Sequence, residues 1–242
     1  LANWGSLVHP WLKMVDKIVV PSIFLRDVFA RHGYKAEVIH NVIDTGQFRY
    51  RERLPLLPEF LSVRNFEPHY GVEYTLLAFA MIQTVYPAAS LTIVGQGPQE
   101  PELKHLSQAL SVRNVRFMGA VDPAEMPAVY DRHSVFLNSS FVDNQPLSVL
   151  EAMASGMPVV TTPIGDIPNM MADGESGTLV PAGDPSAMAK AATLLLEQPE
   201  RAALMAQRAR ESLRQYDWSK VGPAWANTYR RLASASSNKE AA

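Results

Sequence analysis

The sequence predicts an α/β fold, a doubly wound parallel sheet preceded by the incomplete end of a second unit of the same kind. Three observations point there. Short β-branched runs alternate with longer stretches whose apolar residues recur at three and four. Several of those runs carry Val or Ile on both faces, as strands buried between two helical layers must. One aperiodic break near residues 45–58 divides the pattern into two unequal parts.

In chain order, a strand at 17–20 is followed by Pro21-Ser22 and an amphipathic helix at 24–32 that stops at Gly33, then by a second strand at 37–40. Residues 49–58, with alternating charges and two prolines, read as a connector. The alternation then restarts. Strands are expected at 60–64, 90–94, 115–118, 135–138, 158–161 and 177–180, with helices at 72–86, 101–111, 124–132 and 147–155 between them. Two helical stretches at 185–197 and 199–216 follow, then 218–232 and an Ala/Ser-rich tail expected to fray. Two strands and a helix cannot bury a core, so the expected division is 1–45 as the end of a preceding domain, 46–225 as a nearly complete domain, and 226–242 as a helix end and disordered tail. Leu at position 1 suggests a piece of a longer chain.

Composition narrows the function. The 242 residues carry 22 Lys and Arg against 24 Asp and Glu, which leaves no basic surface for nucleic acid. Zero cysteines exclude a thiolate nucleophile, a disulfide scaffold and a Cys-based zinc site. No apolar run is long enough to span a bilayer, and residues 1–20 do not read as a signal peptide. His9, His32, His40, His105 and His133 have no metal-ligand spacing and read as surface or turn residues. The methionines read as core or helix-face residues. Asn138-Ser-Ser140 matches a glycosylation acceptor, but at the end of a buried strand it reads as a chance match.

Ligands of an open parallel sheet lie beyond the carboxyl ends of its strands. There, Val94-Gly-Gln-Gly-Pro98 places Gly95 and Gly97 in a tight turn, suited either to close approach of a ligand or simply to positive φ. It is no dinucleotide fingerprint, because Glu100 stands where a third small residue is required. Asp143 and Glu151 flank a helix start near Pro146, where unpaired N–H groups suit an anion such as diphosphate. Two acceptor carboxylates beside an anion pocket fit a sugar nucleotide. Plainer readings stay open: Ser148-x-x-Glu151 matches a capping box, and Asp143 could bond its own loop backbone.

From about Val19 to Tyr229 the chain resembles the family 4 glycosyltransferases, retaining enzymes of the GT-B fold with two Rossmann-like domains. Val20-Pro-Ser22 and Val38-Ile-His-Asn-Val-Ile-Asp44 are similar to the last units of the family's first domain. Ser62-Val-Arg64-Asn, Leu91-Thr-Ile-Val-Gly-Gln-Gly-Pro98, Val115-Arg-Phe-Met-Gly119 and Asp143 through Val160 are similar to its second. The family's acid-x7-Glu hallmark reads Asp143-x7-Glu151, with the shorter Asp where Glu is commoner. The resemblance implies that Glu151 holds the ribose hydroxyls and that Asp143 and the loop of Asn144, Pro146, Leu147 and Ser148 lie against sugar and diphosphate. It implies that Arg64 binds phosphate and that Ala120 and Val121 read the base. His69 stands where a lysine is expected, one residue farther than usual from the following glycine, and is only partly charged near neutral pH. Gly165-Asp-Ile-Pro168 resembles a Gly-Gly-Ile-Pro turn with one glycine replaced, and Trp218 and Trp225 sit where the family's last helix crosses back to the first domain.

The function so implied is sugar transfer from a nucleotide-sugar donor to a glycan, lipid or small-molecule acceptor, with Arg64, Asp143 and Glu151 at the centre and neither metal nor cofactor. The acceptor would be held by a missing N-terminal domain. The setting would be cytoplasmic, at the inner face of the membrane if that domain binds it peripherally. The alternative is a domain that binds nucleotide sugar without transferring it. A glycosidase using Asp143 and Glu151 fits poorly, because both flank one helix start, whereas glycosidase carboxyls face each other across the scissile bond.

Overall fold

The computed structural model describes residues 10–240. They divide into two compact units, one spanning Ile43–Arg214 and the other made of the chain before residue 43 and after residue 214.

In the larger unit six parallel strands, β3 (Glu59–Val63), β4 (Ser90–Val94), β5 (Val115–Gly119), β6 (Val135–Asn138), β7 (Val159–Thr161) and β8 (Thr178–Leu179), lie in the order β5-β4-β3-β6-β7-β8. Successive strands move outward from β3 in one direction, and then from β6 in the other. This is the Rossmann-like doubly wound arrangement, with its switch point between β3 and β6. The crossovers between these parallel strands carry the helices that cover the sheet. Helix α2 (Val72–Val85) follows β3 and packs on α3 (Glu100–Ala109) and α7 (Pro185–Glu197). Helix α5 (Leu147–Ala154) follows β6 and packs on α4 (Met126–Asp131) and α8 (Pro199–Ser212). A four-residue helix, α6 (Ile167–Met170), follows β7. Phe60, Leu91, Ile93, Val135, Leu137 and Val160 from the sheet and Leu76, Phe79 and Ile82 from α2 form the core, all fully buried. The four residues of β6 are buried on both faces, as the β-branched runs predict.

In the smaller unit β1 (Ile18–Val20) and β2 (Ala36–Val38) pair in parallel around α1 (Ile23–Arg31), whose N-terminus is capped by Ser22 accepting the Leu25 N–H at 3.0 Å. The long helix α9 (Trp218–Glu240) belongs to this unit. It is tied to β2 through Glu37, which accepts from Thr228 at 3.2 Å and Arg231 at 2.8 Å and pairs with Lys17 at 2.8 Å. Lys17 first, then Arg231, hold the Glu37 carboxyl below its ordinary range. The boundary thus falls at 42/43, and the chain returns to the first unit at residue 215 instead of remaining in the second to residue 225. The backbone of 226–240, expected as a helix end and disordered tail, is helical, continuing the helix that starts at Trp218. Among the described residues no helix is long and apolar enough to cross a membrane.

The segment at 45–58 has no regular structure, yet it is not a mere connector. Arg53 is 2% exposed and donates to four backbone carbonyls: Nε to His133 at 2.7 Å, Nη1 to Arg51 at 2.8 Å and Ser155 at 2.5 Å, and Nη2 to Tyr130 at 3.0 Å. Arg210 donates to the carbonyls of Ala154 at 2.9 Å and Thr45 at 3.1 Å. Two guanidinium groups therefore satisfy the C-terminal end of α5, where cations are favoured by its dipole. His133 is also more than a turn residue. Its Nδ1 lies 2.6 Å from the Val129 carbonyl and its Nε2 lies 2.8 Å from Thr92 Oγ1, joining the end of α4 to β4. His9 lies outside the described residues.

Candidate donor site at the sheet switch point

Arg64 immediately follows β3 and Asn138 ends β6, so the switch point brings them together. Arg64 Nε donates to Asn138 Oδ1 at 2.9 Å, and Nη2 forms an ion pair with Asp143 Oδ2. Its guanidinium lies over the Tyr70 ring, 5.2 Å from the centroid. Burial pulls Arg64 below its ordinary pKa, and the Asp143 carboxylate opposes that shift. Asn138 is fully buried, its Oδ1 also accepting from Ser140 Oγ at 2.8 Å and its Nδ2 donating to Thr161 Oγ1 at 2.9 Å. Its burial leaves no access for glycosylation.

The polar loop after β6 is held by its neighbours. The carbonyl of His69, in the short 3-10 turn Pro68–Tyr70, accepts the N–H groups of Phe141 at 2.9 Å and Val142 at 3.2 Å. The exposed His69 ring lies against Tyr70, with centroids 4.2 Å apart. Asp143 Oδ1 accepts the Asn144 N–H at 2.7 Å, so Asp143 serves its own backbone and Arg64 together. Asp166, the replacement in the Gly-Gly-Ile-Pro-like turn, is fully buried. It donates its N–H to the Asn144 carbonyl at 2.7 Å and accepts from Gln145 Nε2 at 3.2 Å. Gly165 makes that approach feasible, because a Cβ there would lie 2.2 Å from the Asp143 carbonyl oxygen. At Gly95, with φ near +145°, a Cβ would fall 1.8 Å from the Arg64 carbonyl oxygen, and one at Gly97 would fall 2.6 Å from that of Phe66. Packing of these two loops is enough to require both glycines. The Gly95 N–H donates to the Gly119 carbonyl at 2.9 Å, which brings exposed Ala120 and half-buried Val121 to the same end of the sheet.

Helix α5 opens after Pro146, a buried residue with extended φ and ψ, and no side chain caps it. Ser148 is therefore not a capping-box residue: its Oγ is buried without a hydrogen-bond partner, beside exposed Leu147. Glu151 does not turn back to the cap either. Its Oε2 accepts from the Tyr130 hydroxyl at 2.7 Å. Burial raises the Glu151 pKa, and the Tyr130 bond and the Arg64 charge pull it back.

Arg64, Asp143, Ser148 and Glu151 thus lie at the switch point with the loops that carry His69, Gly95 and Asn144. Tyr70, Tyr130, Asn138 and Asp166 complete the arrangement and were not singled out as site residues by the sequence patterns. Tyr130 falls inside the helix expected at 124–132 and Asn138 at an expected strand end, and only the fold brings them to charged partners. Among the described residues no group of three or more His, Cys, Asp or Glu could hold a metal ion.

The chain is 29% identical over 250 residues to a phosphatidyl-myo-inositol mannosyltransferase of Mycobacterium leprae, covering 100% of this chain and 66% of that protein. It is 29% identical over 238 residues to a glycogen synthase of Mycobacterium tuberculosis, covering 95% of this chain and 58% of that protein. It therefore spans only about three fifths of the length of these relatives. Its fold matches sucrose-phosphate synthase from Thermosynechococcus elongatus with a TM-score of 0.86 at 24% identity, over 97% of this chain and 63% of that one. It matches Anabaena Alr3699/HepE in complex with UDP-glucose with a TM-score of 0.84 at 18% identity, over 95% of this chain and 68% of that one. These structural neighbours are GT-B glycosyltransferases. The model of the family described as glycosyl transferases group 1 matches residues 51–212, which run from the Arg51–Arg53 staple to the end of α8, and the chain belongs to that family.

Proposed function

We propose that this chain is the nucleotide-sugar-binding half of a retaining, metal-independent family 4 glycosyltransferase. The observation that carries the reading is the buried Arg64 guanidinium at the switch point, on the same end of the sheet as the uncapped N-terminus of α5 and the partnerless Ser148 Oγ. A diphosphate satisfies all three. In the reaction the bond from the anomeric carbon to the diphosphate oxygen breaks, the acceptor oxygen bonds to that carbon, and the acceptor's proton passes to the departing diphosphate. Negative charge grows on the diphosphate as the bond breaks, and Arg64 with the α5 N–H groups stabilises it. Glu151 accepts the ribose hydroxyls, and Asp143, Asn144 and the loop through Ser148 lie against the sugar. His69, Gly95 and Gly97 border the phosphates, and Ala120 and Val121 read the base. Retention and metal independence rest on the family resemblance and on the lack of an Asp-x-Asp motif. A donor class is suggested by neighbours solved with UDP and UDP-glucose, and an acceptor held outside this chain by the length of the relatives. In that case the isolated chain binds donor without transferring its sugar.

Calorimetric titration with UDP, GDP and ADP tests the reading. One of them should bind, and Glu151→Ala should weaken it about tenfold, the loss of roughly 1.5 kcal/mol from hydrogen bonds to a charged group. Failure of all three to bind, or unchanged binding by the variant, overturns the donor-site assignment. Transfer of sugar by this chain alone overturns its restriction to donor binding.

A further inference from the structure

We propose that Tyr130 is a positioning residue for nucleotide recognition, its phenol fixing the Glu151 carboxylate in the orientation that meets the ribose hydroxyls. This rests on the donor-site reading above.

Tyr130 is fully buried in α4, its ring against Phe136 with centroids 6.0 Å apart and edge-on to Phe48 at 5.6 Å. Its carbonyl is held by Arg53 Nη2 at 3.0 Å. The ring cannot swing without opening the core, so the hydroxyl is a fixed point. That hydroxyl has one proton and two acceptors: Glu151 Oε2 at 2.7 Å and the Ser148 carbonyl at 3.2 Å. Glu151 sits on the first turns of α5 with only Cβ and Cγ between its backbone and its carboxyl, and it has several rotamers. The charge-assisted bond at 2.7 Å selects one of them. It occupies Oε2, while Oε1 takes no hydrogen bond from the described residues and remains to accept from a ligand. A tyrosine present only to fill the core would need no more than the Ser148 carbonyl.

The two roles differ in what Tyr130→Phe does to a ligand that lacks the hydroxyls. The variant keeps the ring and removes the donor. Binding of whichever of UDP, GDP and ADP the wild-type chain takes should weaken about fivefold, while binding of its 2′,3′-dideoxy counterpart stays within twofold of wild type. Equal weakening of both ligands assigns Tyr130 a purely structural role and overturns the inference, as does unchanged binding of both. If the wild-type chain binds no nucleotide, the donor-site reading falls and takes this inference with it. A second measurement needs no variant. The Tyr130 ¹³Cζ resonance of wild-type protein should shift on adding the ribonucleotide and not on adding the dideoxy form. The same response to both ligands overturns the inference.

Discussion

Arg53→Met lowers the stability of the larger unit by about 3 kcal/mol, the sum of several hydrogen bonds at about 1 kcal/mol each, which for a domain of this size moves its thermal midpoint by on the order of 10 °C. Methionine matches much of the volume and removes the cost of burying a cation. Burial first, and neighbouring Arg51 second, bring the Arg53 pKa down to about 10, so that cost is real. The loss is nonetheless large, because the buried carbonyls of Tyr130 and Ser155 lose the guanidinium and keep only the backbone N–H groups of His133 at 3.3 Å and Arg51 at 3.2 Å. The ends of α4 and α5 lose the group that joins them, and with them the footing of Tyr130 and Glu151. Lysine at the same position keeps the charge but offers a point donor in place of a planar fork, so Arg53→Lys recovers only part of the loss. Thermal and denaturant unfolding of both variants measures this. A change of under 1 kcal/mol for methionine would show that water or backbone movement satisfies those carbonyls.

The same residue explains what was and was not legible in the sequence. Strands at 90–94 and 135–138 and the helix at 185–197 are found at the positions their periodicity predicts, because each buries an apolar face and the face sets the period. The segment at 45–58 has no period for an equally physical reason. Arg53 donates to backbone carbonyls and Arg51 to the carbonyl and carboxylate of Asp131 rather than to a face, and such partners have no sequence signature. The candidate site divides in the same way. The spacing of Asp143 and Glu151 and the helix start between them could be read directly. Their partners could not be read from spacing: Arg64, 79 residues before Asp143, enters only through the family resemblance, and Tyr130, 21 before Glu151, carries no signal of its own. Ser148-x-x-Glu151 fits a capping box by spacing, yet the buried phenol is the stronger donor for Glu151, and Ser148 Oγ is left free for another partner.

Arg64→Ala weakens nucleoside diphosphate binding on the order of 100-fold. Two charge-assisted hydrogen bonds at about 1.5 kcal/mol each account for it. A nucleoside without phosphates should bind nearly as before, which separates loss of a phosphate contact from general damage. Repulsion adds to this loss. Asp143 is mostly buried and paired with Arg64, so alanine leaves a carboxylate facing the incoming anion without its cation. Asp143→Asn alone should then leave diphosphate binding intact or tighten it, and the double variant should bind more tightly than Arg64→Ala. The interaction energy from this cycle measures how far the ion pair opposes the ligand and how far it holds the guanidinium in place. If the double variant binds no better than Arg64→Ala, Asp143 exerts no repulsion at the phosphates, and its carboxylate is directed toward the sugar side of the site.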